Sequence, residues 1–212
     1  MADFAAKRAK MVKRQLSARG IGDERVLEAM GTVPREAFVP PRMRYRAYAD
    51  SALPIGEEQT ISQPWIVAAI CQALELTGSE RVLEVGTGSG YSTAVLSRLA
   101  AEVVSVERHE SLARSARADL ASLGVANVEL LVGDGSRGVP ERAPFDAIAV
   151  HAAAPEAPPA LLVQLVDGGR LVVPIAFESS DILTVLRRRG EEIARTAIGP
   201  CRFVPLIGEG GF

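Results

Sequence analysis

The sequence predicts an α/β domain of the doubly wound, Rossmann-like type, in which helices cover both faces of a mostly parallel sheet. The first observation is the stretch 81–91, RVLEVGTGSGY, which reads as a buried strand and a glycine-rich loop that opens a helix. The second is the repetition of strand and helix after this loop, which is typical of parallel βαβ units. The third is a hairpin pattern around Arg189-Gly190, which predicts an antiparallel strand towards the end of the chain.

The elements after the glycine loop follow from apolar runs and the glycines that separate them. A helix is expected from about residue 110 to Leu123, where Gly124 ends it, and a second helix over 158–166. The tail 201–212 is expected to return as a last strand fragment. The predicted strands are 102–107, 128–132, 145–150, 170–174, 182–189 and 191–198.

The glycine loop holds the residues that predict the ligand. Its spacing is G-x-G-x-G rather than the dinucleotide pattern G-x-G-x-x-G, and no Lys-Ser or Lys-Thr pair follows, which excludes a phosphate-binding P-loop. Glu84 lies two residues before the first glycine, where a carboxylate attracts an ammonium or sulfonium and repels a pyrophosphate. These features favour S-adenosylmethionine over NAD or ATP. The contacts expected from this segment are Glu84, Gly86, Thr87, Gly88 and Gly90.

Two further acidic residues follow predicted strands at the same edge of the sheet. Glu107 lies at about the distance from the glycine loop expected for a carboxylate that binds the two hydroxyls of a ribose. Asp134 could accept a hydrogen bond from an exocyclic amine, with Gly135 beside it, or could simply be a turn residue between two glycines. His151 follows the strand 145–150, and we interpret it as a bystander rather than as a general base.

The first third of the chain is predicted to extend the core rather than to form a second domain. A helix is expected over 2–19 and another over 24–30, and the stretch 52–64 has the turn-forming composition of a long irregular loop. The predicted boundaries are 1–63 for the helices and active-site loop, 64–212 for the cofactor-binding core and 1–212 for the single domain that they form.

Ser62 lies just before Pro64, which is suited to the first turn of a helix. Free backbone N–H groups and the helix dipole favour an anion at such a position. From this stretch alone, Ser62 is either a residue that helps to hold an anionic group or a plain N-cap.

The bulk composition excludes several classes of protein. The chain has 212 residues, a net charge of −2 and a pI of about 5.8, which give no overall attraction to nucleic acid. No apolar run is long enough to span a bilayer, and the basic N-terminus lacks the apolar core of a signal peptide. Cys71 and Cys201 lack metal-ligand spacing, so we expect reduced thiols, no metal site and a cytoplasmic protein. We also expect a monomer.

The chain resembles the protein-L-isoaspartate O-methyltransferase family over nearly its whole length. The glycine loop alone indicates only a Rossmann-type methyltransferase, whereas QTISQP and RFVPL are far more specific. The stretches that carry the resemblance are VPREAFVP (33–40), ALPIGEEQTISQP (52–64), VLEVGTGSGY (82–91), VGDGSRG (132–138), FDAIAVHAAAPEAP (145–158), QLVDGGRLVVPI (164–175) and RFVPL (202–206).

The resemblance implies transfer of a methyl group from S-adenosylmethionine to the α-carboxylate of L-isoaspartyl residues in damaged proteins, leaving S-adenosylhomocysteine. The ester would then close to a succinimide, whose hydrolysis returns some L-aspartate. Ser62 matches the active-site serine of the family's Thr-Ile-Ser motif, and we expect Thr60 and Ile61 to lie against the cofactor. The expected partners are isoaspartyl proteins and peptides, without nucleic acid or membrane. Departures from the family pattern are Glu57-Glu58, Trp65 and Ala176.

A carboxylate acceptor is consistent with these residues, because its unperturbed pKa of roughly 3.5 to 4 leaves it ionised at neutral pH without a general base. It needs orientation and shielding from water instead. Three alternatives remain: another methyltransferase of this fold acting on a dedicated peptide, a tRNA or a small molecule; an inactive sensor of an adenosine ligand; and an NAD-dependent oxidoreductase.

Overall fold

The computed structural model describes residues 3–212, and its N-terminal part is mostly helical. Helix α1, Phe4–Met11, begins at Asp3, whose carboxylate accepts a hydrogen bond from the Ala6 N–H, and helix α2 is Glu24–Thr32. The helix predicted over 2–19 is confirmed from residue 4. Its second half departs from α-helical geometry, first in a wider π turn and then in a tighter 3-10 turn. The first residue of the predicted helix lies outside the described chain. Shorter helical turns are π Val12–Leu16 and 3-10 Ser17–Arg19, Arg35–Phe38 and Pro41–Arg46.

The loop predicted over 52–64 contains a small hairpin, so the expectation of an irregular segment was wrong. Strand β1, Leu53–Gly56, pairs antiparallel with β2, Gln59–Ile61, and helix α3, Pro64–Ala73, follows. The two strands together hold too few residues to show an apolar alternation, which explains why the pattern does not identify them.

The core is a seven-stranded sheet in the order β5-β4-β3-β6-β7-β8-β9. Strands β3 to β7 are parallel, β8 is antiparallel to its two neighbours, and β9 forms an edge. The sheet is therefore mostly parallel with one reversed strand, as predicted. Its elements are β3 Arg81–Val85, α4 Tyr91–Leu96, β4 Glu102–Glu107, α5 Glu110–Ser122, β5 Val128–Val132, β6 Phe145–Val150, α6 Pro159–Leu162, β7 Leu165–Phe177, β8 Ser180–Arg189 and β9 Glu192–Cys201.

The helix predicted over 158–166 is much shorter than expected, and the strand predicted over 170–174 is much longer. Leu165 already pairs with Phe145 of β6, and the Phe145 N–H donates to the Gln164 carbonyl at 2.8 Å. Pairing with the sheet thus ends α6 at Leu162, because the tertiary hydrogen bonds prevail over the local helical pattern.

Successive residues of the central strands pack on opposite faces of the sheet. On one face Val82 and Ala147 join a core with the helical residues Met11 and Leu96. On the other face Leu83 packs in a second core, beneath α6 and the C-terminal tail. The N-terminal helices therefore share a core with the sheet. Among residues 3–212, no helix combines the length and the apolar character needed to cross a membrane.

Candidate active site

A cavity opens at the carboxyl ends of the parallel strands, where the strand order reverses between β3 and β6. Doubly wound sheets bind their ligands in this crevice. Its walls come from the glycine loop, the residues after β4 and β6, strand β2 and the C-terminal tail. The predicted site residues that line it are Thr60, Ile61, Ser62, Gly86, Thr87, Gly88, Glu107 and Gly135.

The glycine loop is held close to both neighbouring strands. Gly86 has φ +94° and its N–H donates to the Val106 carbonyl at 2.8 Å. Gly90, at φ +87°, is the N-cap of α4, and a Cβ there would lie 3.1 Å from that of Ala116. Gly90 thus allows α4 to pack against α5, behind the cavity wall, rather than forming the wall as predicted.

Glu107 ends β4 with its side chain buried in the wall of the cavity. One carboxylate oxygen accepts a hydrogen bond from the Gly88 N–H at 2.9 Å and the other from the His109 N–H at 2.9 Å. These bonds fix the plane of the carboxylate. Each oxygen keeps further acceptor capacity, which a pair of ligand hydroxyls can use.

Glu84 lies one layer behind the wall, so the predicted direct contact with a ligand does not fit its position. The side chain is fully buried, and Oε2 accepts hydrogen bonds from the hydroxyls of Thr93 at 2.5 Å and Ser105 at 2.6 Å. The Thr87 hydroxyl lies 2.6 Å from that of Ser105, which connects this network to the glycine loop. The buried charge can therefore act on the cavity through these groups and through its field.

His151 stands between Glu84 and the cavity. Its Nε2 lies 2.8 Å from the Ser92 hydroxyl and 3.3 Å from Oε1 of Glu84, and the backbone N–H of His151 donates to the Val85 carbonyl at 2.8 Å. The imidazole is thus a fixed part of the wall, which its position in a predicted loop did not indicate. Within the described chain, His, Cys, Asp and Glu side chains form no group of three or more suited to a metal ion.

Ser62 reaches the cavity from a different segment, between β2 and α3. The N-cap of α3 is Gln63, so the structure excludes Ser62 as the cap. Among residues 3–212 the Ser62 hydroxyl has no hydrogen-bond partner, which leaves it available to a ligand. Trp65 points elsewhere: its indole N–H donates to the Arg19 carbonyl at 3.2 Å and its ring lies 5.4 Å from the Arg19 guanidinium.

Asp134 holds the C-terminal tail instead of forming the wall of the cavity. Its Oδ1 accepts from the Ser136 N–H at 2.9 Å and hydroxyl at 2.7 Å, and Oδ2 accepts from the Glu209 N–H at 3.0 Å. Partial burial raises the pKa of Asp134, but these hydrogen bonds outweigh it, so the pKa lies below its ordinary value. The contact with an exocyclic amine stays a prediction.

Arg35 is a buried cation that the sequence analysis missed. Its Nε donates to the Ala47 carbonyl at 2.7 Å, and its guanidinium lies 4.8 Å from the ring centre of Tyr91, which lines the cavity directly after the glycine loop. Burial lowers the pKa of Arg35 to about 10 and raises that of Tyr91 to about 12. A single Arg in VPREAF carries no local signal for such a contact, which depends on tertiary packing.

Proteins of known sequence are similar to this chain over almost its whole length. A protein-L-isoaspartate O-methyltransferase of Koribacter versatilis is 51% identical over 209 residues, covering 99% of this chain and 94% of the relative. Protein-L-isoaspartate O-methyltransferase 2 of Pelobacter propionicus is 56% identical over 204 residues, covering 95% of this chain and 91% of its own.

Two solved structures extend the likeness to three dimensions. One protein-L-isoaspartate O-methyltransferase has a TM-score of 0.86 and 32% identity, covering 96% of this chain and 67% of its own. A putative protein-L-isoaspartate O-methyltransferase from Plasmodium falciparum, in complex with S-adenosyl-L-homocysteine, has a TM-score of 0.80 and 25% identity, covering 94% and 98%. The sequence profile described as protein-L-isoaspartate(D-aspartate) O-methyltransferase matches residues 6–211, and the chain therefore belongs to this family.

Proposed function

We propose that this protein is a repair enzyme that transfers a methyl group from S-adenosylmethionine to the α-carboxylate of L-isoaspartyl residues in proteins and peptides. The observation that supports the proposal is that two different segments of the chain form two walls of the same cavity. The glycine loop and Glu107 form one wall, and the free hydroxyl of Ser62 comes from a separate segment. The first suits a nucleoside ligand and the second suits an anionic acceptor.

On the ligand side, S-adenosylmethionine supplies an electrophilic methyl group on a sulfonium. Glu107 accepts hydrogen bonds from the ribose hydroxyls with the acceptor capacity left by Gly88 and His109. Gly86 and Gly88 let the backbone approach the ligand closely. Thr60, Ile61, Thr87 and Gly135 complete this wall, while Glu84 acts from behind it.

On the acceptor side, the α-carboxylate is already ionised at neutral pH, so no residue has to remove a proton. The Ser62 hydroxyl donates a hydrogen bond to one carboxylate oxygen and so directs the other oxygen at the methyl carbon. The new O–C bond forms as the C–S bond breaks, and the electron pair remains on sulfur. Ser62 and the cavity walls therefore contribute orientation and exclusion of water.

The first test is methylation of paired peptides that differ only in one aspartyl or L-isoaspartyl linkage. We expect methyl transfer to the isoaspartyl peptide alone, followed by methanol release in mild alkali. Methylation of neither peptide, with transfer to a tRNA or a small molecule, would establish the alternative methyltransferase instead.

Ser62→Ala tests the acceptor side. We expect affinity for S-adenosylmethionine within a few-fold of normal, and turnover of the isoaspartyl peptide lower by on the order of tenfold or more, because a hydrogen bond to a charged group contributes roughly 1.5 to 3 kcal/mol. Calorimetry and single-turnover methylation measure the two effects. A variant with normal turnover would remove Ser62 from the catalytic residues.

Glu107→Ala tests the cofactor side. We expect S-adenosylmethionine binding to weaken by roughly 1.5 to 3 kcal/mol, the contribution of charge-assisted hydrogen bonds. Glu102→Ala is the matched control, because Glu102 begins the same strand and pairs with Arg81 at 3.0 Å, far from the cavity. Equal dissociation constants for Glu107→Ala and the control would contradict the assignment.

We also propose that the enzyme is a metal-independent cytoplasmic monomer that binds neither nucleic acid nor membranes. The net charge of −2 and the two free cysteines support this. Burial raises the pKa of the Cys71 thiol and raises that of Cys201 to about 11, which favours the protonated form of both thiols at neutral pH. Sedimentation of the protein and activity in the presence of a chelator test these points.

A further inference from the structure

The β1–β2 hairpin determines where Ser62 lies relative to the glycine loop. Strand β2 and Ser62 line the cavity on one side. On the other side Ile55 of β1 packs near the loop: a Cβ on Gly88 would lie 3.6 Å from its Cδ1, in ordinary van der Waals contact. Because Ser62 directly follows β2, a movement of the hairpin changes the position of the Ser62 hydroxyl relative to the glycine loop.

The turn of this hairpin is strained. Its two residues, Glu57 and Glu58, have φ +50° and +58°. Two-residue turns with positive φ at both positions favour Gly, Asn and Asp, because other side chains collide with their own backbone in this conformation. Strain of this kind persists where the surrounding structure compensates for it, and it often accompanies function.

Of the two turn residues, only Glu57 makes side-chain contacts within residues 3–212 that can compensate for this strain. Its Oε1 accepts a hydrogen bond from the Ser111 hydroxyl at 2.6 Å, and its Oε2 lies 3.9 Å from Nδ1 of His109. His109 is the N-cap of α5 and Ser111 lies in its first turn, where the helix dipole also favours a carboxylate. Glu58, by contrast, makes no hydrogen bond or ion pair within residues 3–212.

The contact joins the tip of the hairpin to the opposite side of the cavity. His109 lines the cavity together with Glu107, and Ser111 follows two residues later. The side chain of Glu57 remains 44% exposed, so the contact is accessible to water and individually weak. A weak contact at the end of a two-stranded hairpin suits a segment that must open in every catalytic cycle.

We propose that Glu57 is a positioning residue for the methyl transfer, and this inference rests on the function proposed above. Its carboxylate holds the hairpin tip against α5 and thereby keeps Thr60 to Ser62 over the bound cofactor. Breaking the contact lets the hairpin lift, which opens the path by which S-adenosylhomocysteine leaves.

The test compares Glu57→Ala with Glu57→Gln and with Glu58→Ala. We expect Glu57→Ala to raise the dissociation rate of S-adenosylhomocysteine by about threefold to tenfold, the factor that loss of one hydrogen bond brings. KM for S-adenosylmethionine rises by a similar factor, whereas the unfolding midpoint of the ligand-free protein falls only slightly, because the contact is exposed and weak. Glu57→Gln keeps an acceptor for Ser111 and retains most of the wild-type behaviour. Glu58→Ala shares the turn but not the contact, and leaves the rate unchanged.

Ser111→Ala and its combination with Glu57→Ala give an independent measurement. We expect Ser111→Ala to raise the dissociation rate as well, and the double variant to be no worse than Glu57→Ala. An unchanged rate in Glu57→Ala, an equal change in Glu58→Ala, or additive effects in the double variant would each overturn the proposal. Dissociation of S-adenosylhomocysteine is measured without any acceptor, so failure of the isoaspartyl assay in the wild-type enzyme contradicts the function and leaves this test intact.

Discussion

The β1–β2 hairpin and the C-terminal tail both close the cavity, the hairpin with β2 and the tail with residues 204–207. Within residues 3–212 the backbone hydrogen bonds of the hairpin strands stay between β1 and β2. The tail is instead bonded through its main chain: the Leu206 N–H donates to the Ala153 carbonyl at 2.7 Å, and the Ala153 N–H donates to the Val204 carbonyl at 2.8 Å.

The two segments also use opposite residue types. The hairpin turns through two glutamates with positive φ, and one carboxylate holds its tip. The tail has glycines where a side chain has no room, since a Cβ on Gly208 would overlap Asp134, and one on Gly211 would overlap the Leu206 carbonyl. Main-chain bonding and close packing therefore fix the tail, whereas the tip of the hairpin is held by the side-chain contacts of Glu57.

The largest effect is expected from Asp134→Ala. This change removes the acceptor of one hydrogen bond from the tail, donated by the Glu209 N–H, and of two from Ser136, whose hydroxyl in turn accepts from the Gly210 N–H. We expect the free energy of unfolding to fall by about 2 kcal/mol, and turnover to fall with it because the wall formed by residues 204–207 loosens. Urea denaturation and the methylation assay measure these changes. Glu209→Ala is the control, since it keeps the main-chain donor and leaves both quantities near normal. If Asp134→Ala kept the stability of the wild type, the tail would be no more firmly held than the hairpin.

A smaller effect is expected from pH, because the native pKa of Asp134 is lowered. A lowered native pKa stabilises the fold at pH values above the ordinary Asp pKa of about 3.9, and this stabilisation is lost as the pH falls through the native pKa. The unfolding midpoint of the wild type should therefore exceed that of Asp134→Asn at pH 7, and the difference should shrink below about pH 4. A gap that is constant with pH would show that the Asp134 charge is not what holds the tail.

The smallest effect is expected from Glu58→Gly in the hairpin turn. Relief of the positive-φ strain, roughly 1 to 2 kcal/mol, is partly offset by the greater entropy of glycine in the unfolded chain, roughly 0.5 to 1 kcal/mol. We expect a net gain of about 0.5 kcal/mol in denaturant unfolding, with unchanged turnover. A loss of stability would indicate that Glu58 has a role that the contacts do not reveal.

The parts of the fold that the sequence predicted well are those with a clear local pattern. The glycine loop, the parallel strands around it and Glu107 at a strand end are local features whose neighbours follow from the βαβ topology. Confirmation of the family adds the catalytic interpretation of Ser62, but its site residues remain predictions that the variants above will test.

The errors have a common cause in tertiary contacts. The short strands β1 and β2 exist because they pair with each other, and α6 is short because Leu165 joins the sheet. Glu84 was assigned by its distance from a glycine, but the hydroxyls that surround it come from Thr93 and Ser105, on other elements. Asp134 was assigned by position, whereas its partner Glu209 lies 75 residues away in sequence.

Strand β9 affects how a repair enzyme can interact with other extended chains. It ends the sheet, and Ile193 and Ile198 on it are 37% and 38% exposed, so it offers a ready edge to any other extended chain. Damaged proteins, the proposed substrates, are the molecules most apt to present such chains. The exposed charges of Glu192 and Arg195 and the proline at position 200 make this edge a poor template. These residue types therefore disfavour pairing of another extended chain with β9.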